Sequence, residues 1–208
     1  MKPWIVALTG RSGCGKSTVS THYRKLGYTV LDCDLVSREI VMPGTACLQK
    51  LVLAFGKEIL DESGGLKRQE LARKAFSSES STRLLTSITH PAIIQKLLEQ
   101  AQRSFASGAK IVFADGAVIV GESFQRYCDR IIVVDAPDDL CVARIMQRDG
   151  IDFNAAKQRL GAQMSRDQLC KAADYVIGNH EDLSTLLQQA DKVLYALHEE
   201  RNEERQNI

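Results

Sequence analysis

Residues 10–18 read Gly10-Arg11-Ser12-Gly13-Cys14-Gly15-Lys16-Ser17-Thr18. They fit the pattern G-x-x-x-x-G-K-[S/T] of a phosphate-binding loop at every specified position. Gly13 and Gly15 can adopt backbone angles that turn successive N–H groups inward around a phosphate. Lys16 places a cation where the β- and γ-phosphates would lie, and the Ser17 hydroxyl can reach a bound Mg²⁺. The stretch therefore predicts binding of ATP and Mg²⁺, with Ser17 as the metal ligand and with nucleotide contacts from Gly13, Cys14, Gly15, Lys16, Ser17 and Thr18.

The residues on either side of this loop predict a strand before it and a helix after it. Trp4–Leu8 is an apolar run with the length and composition of a buried parallel strand. Thr18–Lys25 can form a helix that Gly27 closes. The positive N-terminal end of that helix would point at the phosphate.

Short apolar runs alternate with helical stretches along the whole chain. The five runs are Trp4–Leu8, Thr29–Leu31, Lys110–Ala114, Arg130–Val134 and Tyr175–Ile177. This alternation predicts an α/β fold of the P-loop nucleoside-triphosphate-hydrolase type, with a five-stranded parallel sheet. Helical periodicity between the second and third runs indicates an inserted subdomain with helices at Cys47–Phe55, Arg68–Phe76, Ser81–Ile88 and Ala92–Phe105. A final helix is expected over about Leu183–Leu197, followed by a frayed charged tail.

The uneven spacing of the strands predicts three functional parts. Residues 1–34, 108–147 and 173–208 would form the nucleotide-binding core, and residues 35–107 a helical subdomain for the acceptor. Residues 148–172 are helical, polar and rich in Lys and Arg, and would form a lid. This is the plan of a small-molecule kinase, because phosphoryl transfer requires that water be kept from the γ-phosphate.

Composition narrows the class of protein. The chain has 208 residues, of which 44% are hydrophobic and 25% charged, and its net charge is +1. This charge predicts neither a nucleic-acid partner nor an anionic membrane surface. No apolar run approaches the roughly 20 residues of a membrane span, and a strand at the N-terminus predicts no signal peptide. Six cysteines without a C-x-x-C pair favour a reducing cytoplasm. The oligomeric state stays open between a monomer and a small homo-oligomer.

Carboxylates stand at the ends of two predicted strands. Asp32 and Asp34 follow the second strand, at the sheet edge where ligands of open parallel sheets gather. Strand alternation would place both on one side, where they could orient an attacking hydroxyl, accept its proton or help to hold Mg²⁺. Alternatively, one of them caps the next helix. Asp115 closes the third strand, either as a Walker-B-type aspartate or as a turn residue before Gly116.

Several basic and nucleophilic residues are further candidates. Arg148 ends the helix after the fourth strand, where a guanidinium could bridge phosphate oxygens, and Arg144, Arg159 and Arg166 lie near it. His90 precedes Pro91, which is expected to start a new helix, and a lone histidine there is either structural or functional. Cys14 lies near a helix N-terminus and Lys16, which would favour its thiolate and make it sensitive to oxidation; otherwise it is a small tolerated side chain.

Three segments beyond the phosphate loop carry a specific resemblance. They read Asp32-Cys33-Asp34-Leu35-Val36-Ser37-Arg38, His90-Pro91 and Ala173-Asp174-Tyr175-Val176-Ile177-Gly178-Asn179. With the loop, they make the chain resemble the dephospho-coenzyme A kinase family from its first strand to about Asn179. The resemblance implies transfer of the γ-phosphoryl group of ATP to the ribose 3′-hydroxyl of dephospho-CoA.

The resemblance also implies a role for each matching residue. Asp34 stands at the position of the catalytic base, Arg38 and His90 would face the acceptor, Arg148 the ATP phosphates, and Asn179 the adenine. We therefore expect catalytic roles for Asp34, Lys16 and Arg148, nucleotide contacts from Arg148 and Asn179, and substrate contacts from Asp32, Arg38, His90 and Asp115.

The chain departs from the family pattern at two places. The loop usually begins with two glycines, and here the second position is Arg11. The segment after the third strand commonly reads Asp-x-Pro-Leu-Leu-Phe-Glu, whereas residues 115–122 here lack the proline and have the glutamate displaced by one. Two alternatives therefore stay open. One is another P-loop kinase, acting on a nucleoside, nucleotide or small alcohol, and the other is an ATP-binding regulator that has lost catalysis.

Overall fold

A computed structural model describes residues 2–116 and 119–206 of the chain, with side chains up to residue 203. Ala117 and Val118, in the segment that departs from the family pattern, lie outside the described residues. The described chain forms two compact units. The first unit comprises the residues up to Leu31 and from Ser104 onward, and the second is Asp32–Arg103.

Five strands form one sheet, as the alternation of apolar runs predicts. The strands are β1 (Trp4–Thr9), β2 (Thr29–Asp32), β3 (Ile111–Asp115), β4 (Arg130–Asp135) and β5 (Tyr175–Gly178). Their order in the sheet is β2-β3-β1-β4-β5. The pairings of β1 with β3, of β1 with β4 and of β4 with β5 are parallel.

β1 is buried along its whole length. Its residues Trp-Ile-Val-Ala-Leu-Thr carry no charge, and its neighbours are two further apolar strands. Val6 lies opposite Phe113 of β3, and Leu8 lies opposite Ile132 of β4. A parallel strand that is covered on both faces is a continuous apolar run rather than an alternating one. The central position of β1 puts the loop after Thr9 in the middle of the carboxyl edge of the sheet, where such folds bind ligands.

Nine α-helices occur in the described residues. They are α1 (Lys16–Lys25), α2 (Cys33–Glu39), α3 (Ala46–Phe55), α4 (Arg68–Ala75), α5 (Glu79–Ala106), α6 (Asp138–Asp149), α7 (Phe153–Gly161), α8 (Arg166–Ala172) and α9 (Leu183–Gln206). Short 3₁₀ turns span Lys57–Ile59 and Gln125–Tyr127. The last helix continues to Gln206, past the predicted end near Leu197. No helix in the described part of the chain is long and apolar enough to cross a membrane.

The core of the first unit joins the sheet to helices α1 and α9. Tyr23 of α1 stacks on Phe113 of β3 with 4.5 Å between the ring centroids. The Tyr23 hydroxyl donates a hydrogen bond to the carbonyl oxygen of Ala190 in α9, at 3.0 Å. All three residues are fully buried. Because α1 is fixed on both sides, its N-terminus, where the phosphate loop ends, has a defined position.

The second unit is built around the apolar face of α3. Leu48, Leu51 and Phe55 are buried at the spacing of one helical face. Lys74 of α4 donates to the carbonyl oxygen of Phe55 at 2.7 Å and to the carboxylate of Glu58 at 2.9 Å. A cation at the C-terminal end of α3 satisfies a carbonyl that has no partner within the helix.

The prediction of two helices separated at His90-Pro91 is wrong. α5 runs without interruption from Glu79 to Ala106, and Pro91 lies inside it. Proline has no N–H for the carbonyl four residues back, which is that of Ser87. A helix of 28 residues loses only one of its many hydrogen bonds in this way, so the proline does not end it. The Cys47 thiol of α3 donates weakly to the carbonyl oxygen of Ile88 at 4.0 Å, beside the disturbed turn.

Candidate active site

The loop between β1 and α1 has the backbone that the phosphate-binding pattern predicts. Gly13 and Gly15 lie in the left-handed region, with φ of +80° and +95°, which other residues adopt at a cost. A Cβ on Gly15 would also overlap the side-chain amide of Asn179. Both glycines are therefore required by geometry, and Cys14 lies buried between them.

The N-terminus of α1 meets this loop without a side-chain cap. Gly15 is the N-cap, no side chain caps the helix, and its first turn contains no acidic residue. In contrast, the side chain of Thr45 caps α3 and that of Asp152 caps α7. The first N–H groups of a helix have no partner within it, and together with the helix dipole they favour an anion. The start of α1 is thus suited to a phosphate group.

Lys16 and Asp115 form an ion pair at the carboxyl edge of the sheet. Lys16 is the first residue of α1, and Asp115 is the last residue of β3. The Lys16 ammonium donates to the Asp115 carboxylate, and the side chains are 19% and 10% exposed. Both charges are largely removed from water, and the attraction between them offsets part of the cost of that desolvation. The pairing places Asp115 next to the phosphate loop, so it does more than precede a turn. Its contact with a substrate stays a prediction.

Asn179 and Arg144 donate hydrogen bonds to carbonyl oxygens of the phosphate loop. The Asn179 side-chain amide donates to the carbonyl oxygen of Cys14 at 2.7 Å, and the contact is buried. Arg144 of α6 donates to the carbonyl oxygen of Gly13 at 3.2 Å. These two contacts restrain the backbone of the loop at Gly13 and Cys14. Arg144 therefore acts on the loop here, while contacts of Asn179 with adenine stay a prediction.

Sequence reasoning missed Asp135, the last residue of β4. Its carboxylate binds the Arg166 guanidinium at the start of α8 through contacts of 2.6–2.9 Å. The available signal was its position, since Asp32, Asp115 and Asp135 all end strands of one sheet. Arg11 stands where the family pattern has a second glycine. It is buried and forms an ion pair with Asp138, the first residue of α6.

Arg148 is engaged by carboxylates in this structure. Its guanidinium binds the neighbouring Asp149 through Nε at 2.7 Å and through a terminal nitrogen at 2.9 Å. Arg159 of α7 binds the same carboxylate at 2.6 Å. Both arginine side chains are more than half exposed, and surface pairs of this kind exchange readily for a better anion. The role of Arg148 toward ATP phosphates stays a prediction.

Of the two readings of Cys14, the structure supports the small neutral side chain and not the reactive thiolate. Burial raises the pKa of the Cys14 thiol to about 12, and this effect exceeds the lowering by the backbone hydrogen bond and charge of Lys16. Only 2% of the residue is exposed. A thiol that is removed from water cannot gain enough from one nearby cation to ionise. Cys14 is a small apolar side chain that fills the space inside the loop.

Burial of Cys14 predicts a loss of stability at alkaline pH. The folded-state pKa is raised, so the neutral thiol contributes stability that is complete below the ordinary value of 9.0 and is lost as the pH rises toward about 12. Between about pH 7 and pH 10, the free energy of unfolding should fall in both proteins. In Cys14→Ala the fall should be smaller than in wild type by about 1 kcal/mol. Urea unfolding at the two pH values measures the difference. An equal fall in the two proteins would show that the Cys14 thiol has the same pKa in the folded and unfolded states.

The second unit carries the predicted acidic pair in an arrangement that differs from the expected strand alternation. β2 ends at Asp32, and α2 begins at the next residue, so Asp34 lies on a helix. The Asp32 carboxylate accepts a hydrogen bond from the N–H of Leu35 at 2.9 Å and caps α2. The two carboxylates therefore do not alternate along one strand. Asp34 is exposed and is free of the capping role.

Arg38 and His90 also belong to the second unit. Arg38 lies in the last turn of α2, four residues after Asp34, and its side chain is exposed. Residues four apart share one face of a helix, so Asp34 and Arg38 lie on the same side of α2. His90 is partly buried and lies in the middle of α5. Its contact with the acceptor stays a prediction, as do those of Asp32 and Arg38.

The oxygen ligands near the loop fit Mg²⁺. The Ser17 hydroxyl in the first turn of α1 and the Asp115 carboxylate are hard donors of the kind that Mg²⁺ prefers. Among residues 2–116 and 119–203, no three His, Cys, Asp or Glu side chains come together as a metal cage. Mg²⁺ in nucleotide sites usually has only one or two protein ligands, and phosphates and water supply the rest.

Comparison with known proteins matches nearly the whole chain to one family. The family model described as dephospho-CoA kinase matches residues 4–185. The dephospho-CoA kinase of Corynebacterium jeikeium is 40% identical over 186 residues, which cover 89% of this chain and 95% of that protein.

Two solved structures show the same fold. The Thermus thermophilus protein TT1252 superposes with a TM-score of 0.82 at 30% identity, covering 94% of this chain and 98% of its own. The dephospho-CoA kinase of Campylobacter jejuni superposes with a TM-score of 0.70 at 26% identity, covering 95% and 98%. The predicted P-loop kinase fold is confirmed. With its phosphate loop, its Lys16–Asp115 pair and its match over residues 4–185, the chain belongs to the dephospho-CoA kinase family.

Proposed function

We propose that this chain transfers the γ-phosphoryl group of ATP to the ribose 3′-hydroxyl of dephospho-CoA, which gives coenzyme A and ADP. The main support for this proposal is the phosphate loop, with its uncapped helix start and its Lys16–Asp115 pair. The loop lies inside a region that matches the dephospho-CoA kinase family. Phosphoryl transfer depends on positioning and on electrostatic stabilisation, and this loop is built to supply the second.

The residues of the first unit act on the nucleotide. The N–H groups of the loop and the Lys16 ammonium hold the β- and γ-phosphates, so phosphate oxygens compete with Asp115 for Lys16. Arg148 exchanges Asp149 for phosphate and stabilises the charge of the transition state. Ser17 and Asp115 are the residues that would hold Mg²⁺, which would supply positive charge to the phosphates. Asn179 fixes the loop and borders the adenine site.

The residues of the second unit act on the acceptor. Asp34 accepts the proton of the ribose 3′-hydroxyl as its oxygen forms a bond to the γ-phosphorus, and the bond from that phosphorus to ADP breaks. Arg38 lies on the same side of α2 as Asp34 and binds an anionic group of the acceptor. His90 and Asp32 add polar contacts to the acceptor. The resemblance of Asp32–Arg38 and His90-Pro91 to the family pattern supports these assignments.

Residues 148–172 are proposed as the lid and residues 35–107 as the acceptor subdomain. The enzyme is further proposed to work in the cytoplasm, as a monomer or small homo-oligomer, without nucleic acid or membrane. The net charge of +1 supports this setting, as do six cysteines that are free in the structure.

The acceptor is tested by measuring release of ADP in the presence of Mg²⁺ with a panel of acceptors. Dephospho-CoA should support turnover, whereas nucleosides, nucleoside monophosphates and small alcohols should not. Coenzyme A is the matched control, since its 3′-position already carries a phosphate. Turnover with a nucleoside monophosphate but not with dephospho-CoA would indicate another small-molecule kinase. Tight ATP binding without turnover on any acceptor would indicate a regulator.

A further inference from the structure

The connection between α7 and α8 is bound to the phosphate loop through one glutamine. The side-chain oxygen Oε1 of Gln163 accepts a hydrogen bond from the backbone N–H of Ser12 at 2.9 Å. The Gln163 amide nitrogen donates to the Ser12 hydroxyl at 3.2 Å. Both ends of one amide group therefore contact one residue, the third of the loop. Such a double contact fixes the orientation of the side chain as well as its distance.

The residues on either side of Gln163 make further contacts with α7, α8 and β4. Ser165 caps α8 through a capping box with Gln168. Arg166, the first residue of α8, binds Asp135 at the end of β4. The N–H of Gln163 donates to the carbonyl oxygen of Leu160 in α7, at 3.2 Å, and Leu160 is buried. Gln163 thus reaches the loop from a connection that is hydrogen-bonded to α7 on one side and followed on the other by Arg166, which binds the end of β4.

From these contacts we propose that Gln163 is a positioning residue that couples residues 148–172 to the phosphate loop through Ser12. The inference rests on the proposed kinase function. The contact sets the docking of this segment relative to the loop N–H groups, so that the segment covers the γ-phosphate and excludes water. An uncharged amide suits this place, because it donates and accepts at once and adds no negative charge beside the phosphates.

Hydrogen exchange of the Ser12 amide tests the contact without any substrate. In the nucleotide-free protein, Gln163→Ala should speed exchange of this amide by about fivefold or more, as expected for loss of one hydrogen bond. The matched control is Gln158→Ala, which changes an exposed glutamine of α7. An unchanged exchange rate in Gln163→Ala would overturn the proposal. Should Gln163→Ala fail to fold, Gln163→Met keeps the length of the side chain and removes the same hydrogen bonds.

The kinetic part of the test separates coupling from simple stabilisation. Gln163→Ala should lower kcat by about 10–100-fold and release more ADP than coenzyme A, because water then reaches the γ-phosphate. Ser12→Ala keeps the backbone N–H and should have a smaller effect. In the double variant the two effects should not be additive, since both changes remove parts of one contact.

The results distinguish this inference from the proposed function. A normal kcat with equal yields of ADP and coenzyme A in Gln163→Ala would overturn the coupling role. Additive effects in the double variant would overturn the shared contact. If wild type did not phosphorylate dephospho-CoA but its Ser12 exchange still depended on Gln163, the proposed function would fail and the contact would stand.

Discussion

Replacement of Lys16 by alanine is expected to lower kcat/KM for ATP by about 10²–10³-fold, with a higher KM for ATP and a lower kcat. In the proposed mechanism, Lys16 supplies a positive charge to the β- and γ-phosphates in the bound state and to the developing charge in the transition state. Removing one preorganised electrostatic contact of this kind typically costs that much. Steady-state kinetics with saturating dephospho-CoA measure the change.

The Lys16 variant needs a control for folding, because its partner is buried. Alanine leaves the Asp115 carboxylate, only 10% exposed, without its cation, and an unpaired buried charge destabilises the fold. The double variant Lys16→Ala/Asp115→Asn removes both charges and should unfold closer to the wild-type temperature. It should still bind ATP weakly. An unchanged KM and kcat in Lys16→Ala would contradict the assignment of the loop.

Replacement of Asp34 by asparagine is expected to lower kcat by about 10²–10⁴-fold, as loss of a general base typically does. The amide is close in shape to the carboxylate but cannot accept the proton of the 3′-hydroxyl. ATP affinity should stay near the wild-type value, because the proposed nucleotide contacts come from the first unit and Asp34 belongs to the second. Calorimetric titration with ATP and steady-state kinetics separate the two effects.

The matched control for Asp34 is Glu39→Gln, the same change of charge at the end of the same helix. It should keep a kcat within a few-fold of wild type. Asp34 does not cap α2, which Asp32 does, so Asp34→Asn should also keep its stability. A near-normal kcat in Asp34→Asn would remove Asp34 from the role of base.

Local patterns were sufficient to predict most of the sheet and the loop. Uncharged Trp4–Leu8 belongs to the central strand, and the glycines at 13 and 15 adopt the positive φ that the phosphate-binding pattern requires. These features depend on residues close together in the sequence and on burial of whole strands. They therefore appear in the sequence as continuous runs and fixed spacings.

Several features of the structure differ from what sequence reasoning predicted. Pro91 usually marks a helix boundary, but α5 continues through it. Cys14 has a cation and a helix start beside it, but the surrounding core keeps it neutral. Asp34 follows a strand by two residues, but α2 begins immediately after Asp32. Burial among distant residues decides the state of Cys14, whereas a local cap by Asp32 decides where α2 begins.

The central claim is that the phosphate loop delivers the γ-phosphoryl group of ATP to one hydroxyl of dephospho-CoA. Its most direct test is mass spectrometry of the product made from dephospho-CoA, Mg²⁺ and ATP labelled isotopically in the γ-phosphoryl group. The account predicts coenzyme A with the labelled phosphate on the ribose 3′-oxygen, formed in equal amount to ADP. Label found only in inorganic phosphate, or attached at another position of the acceptor, would contradict it.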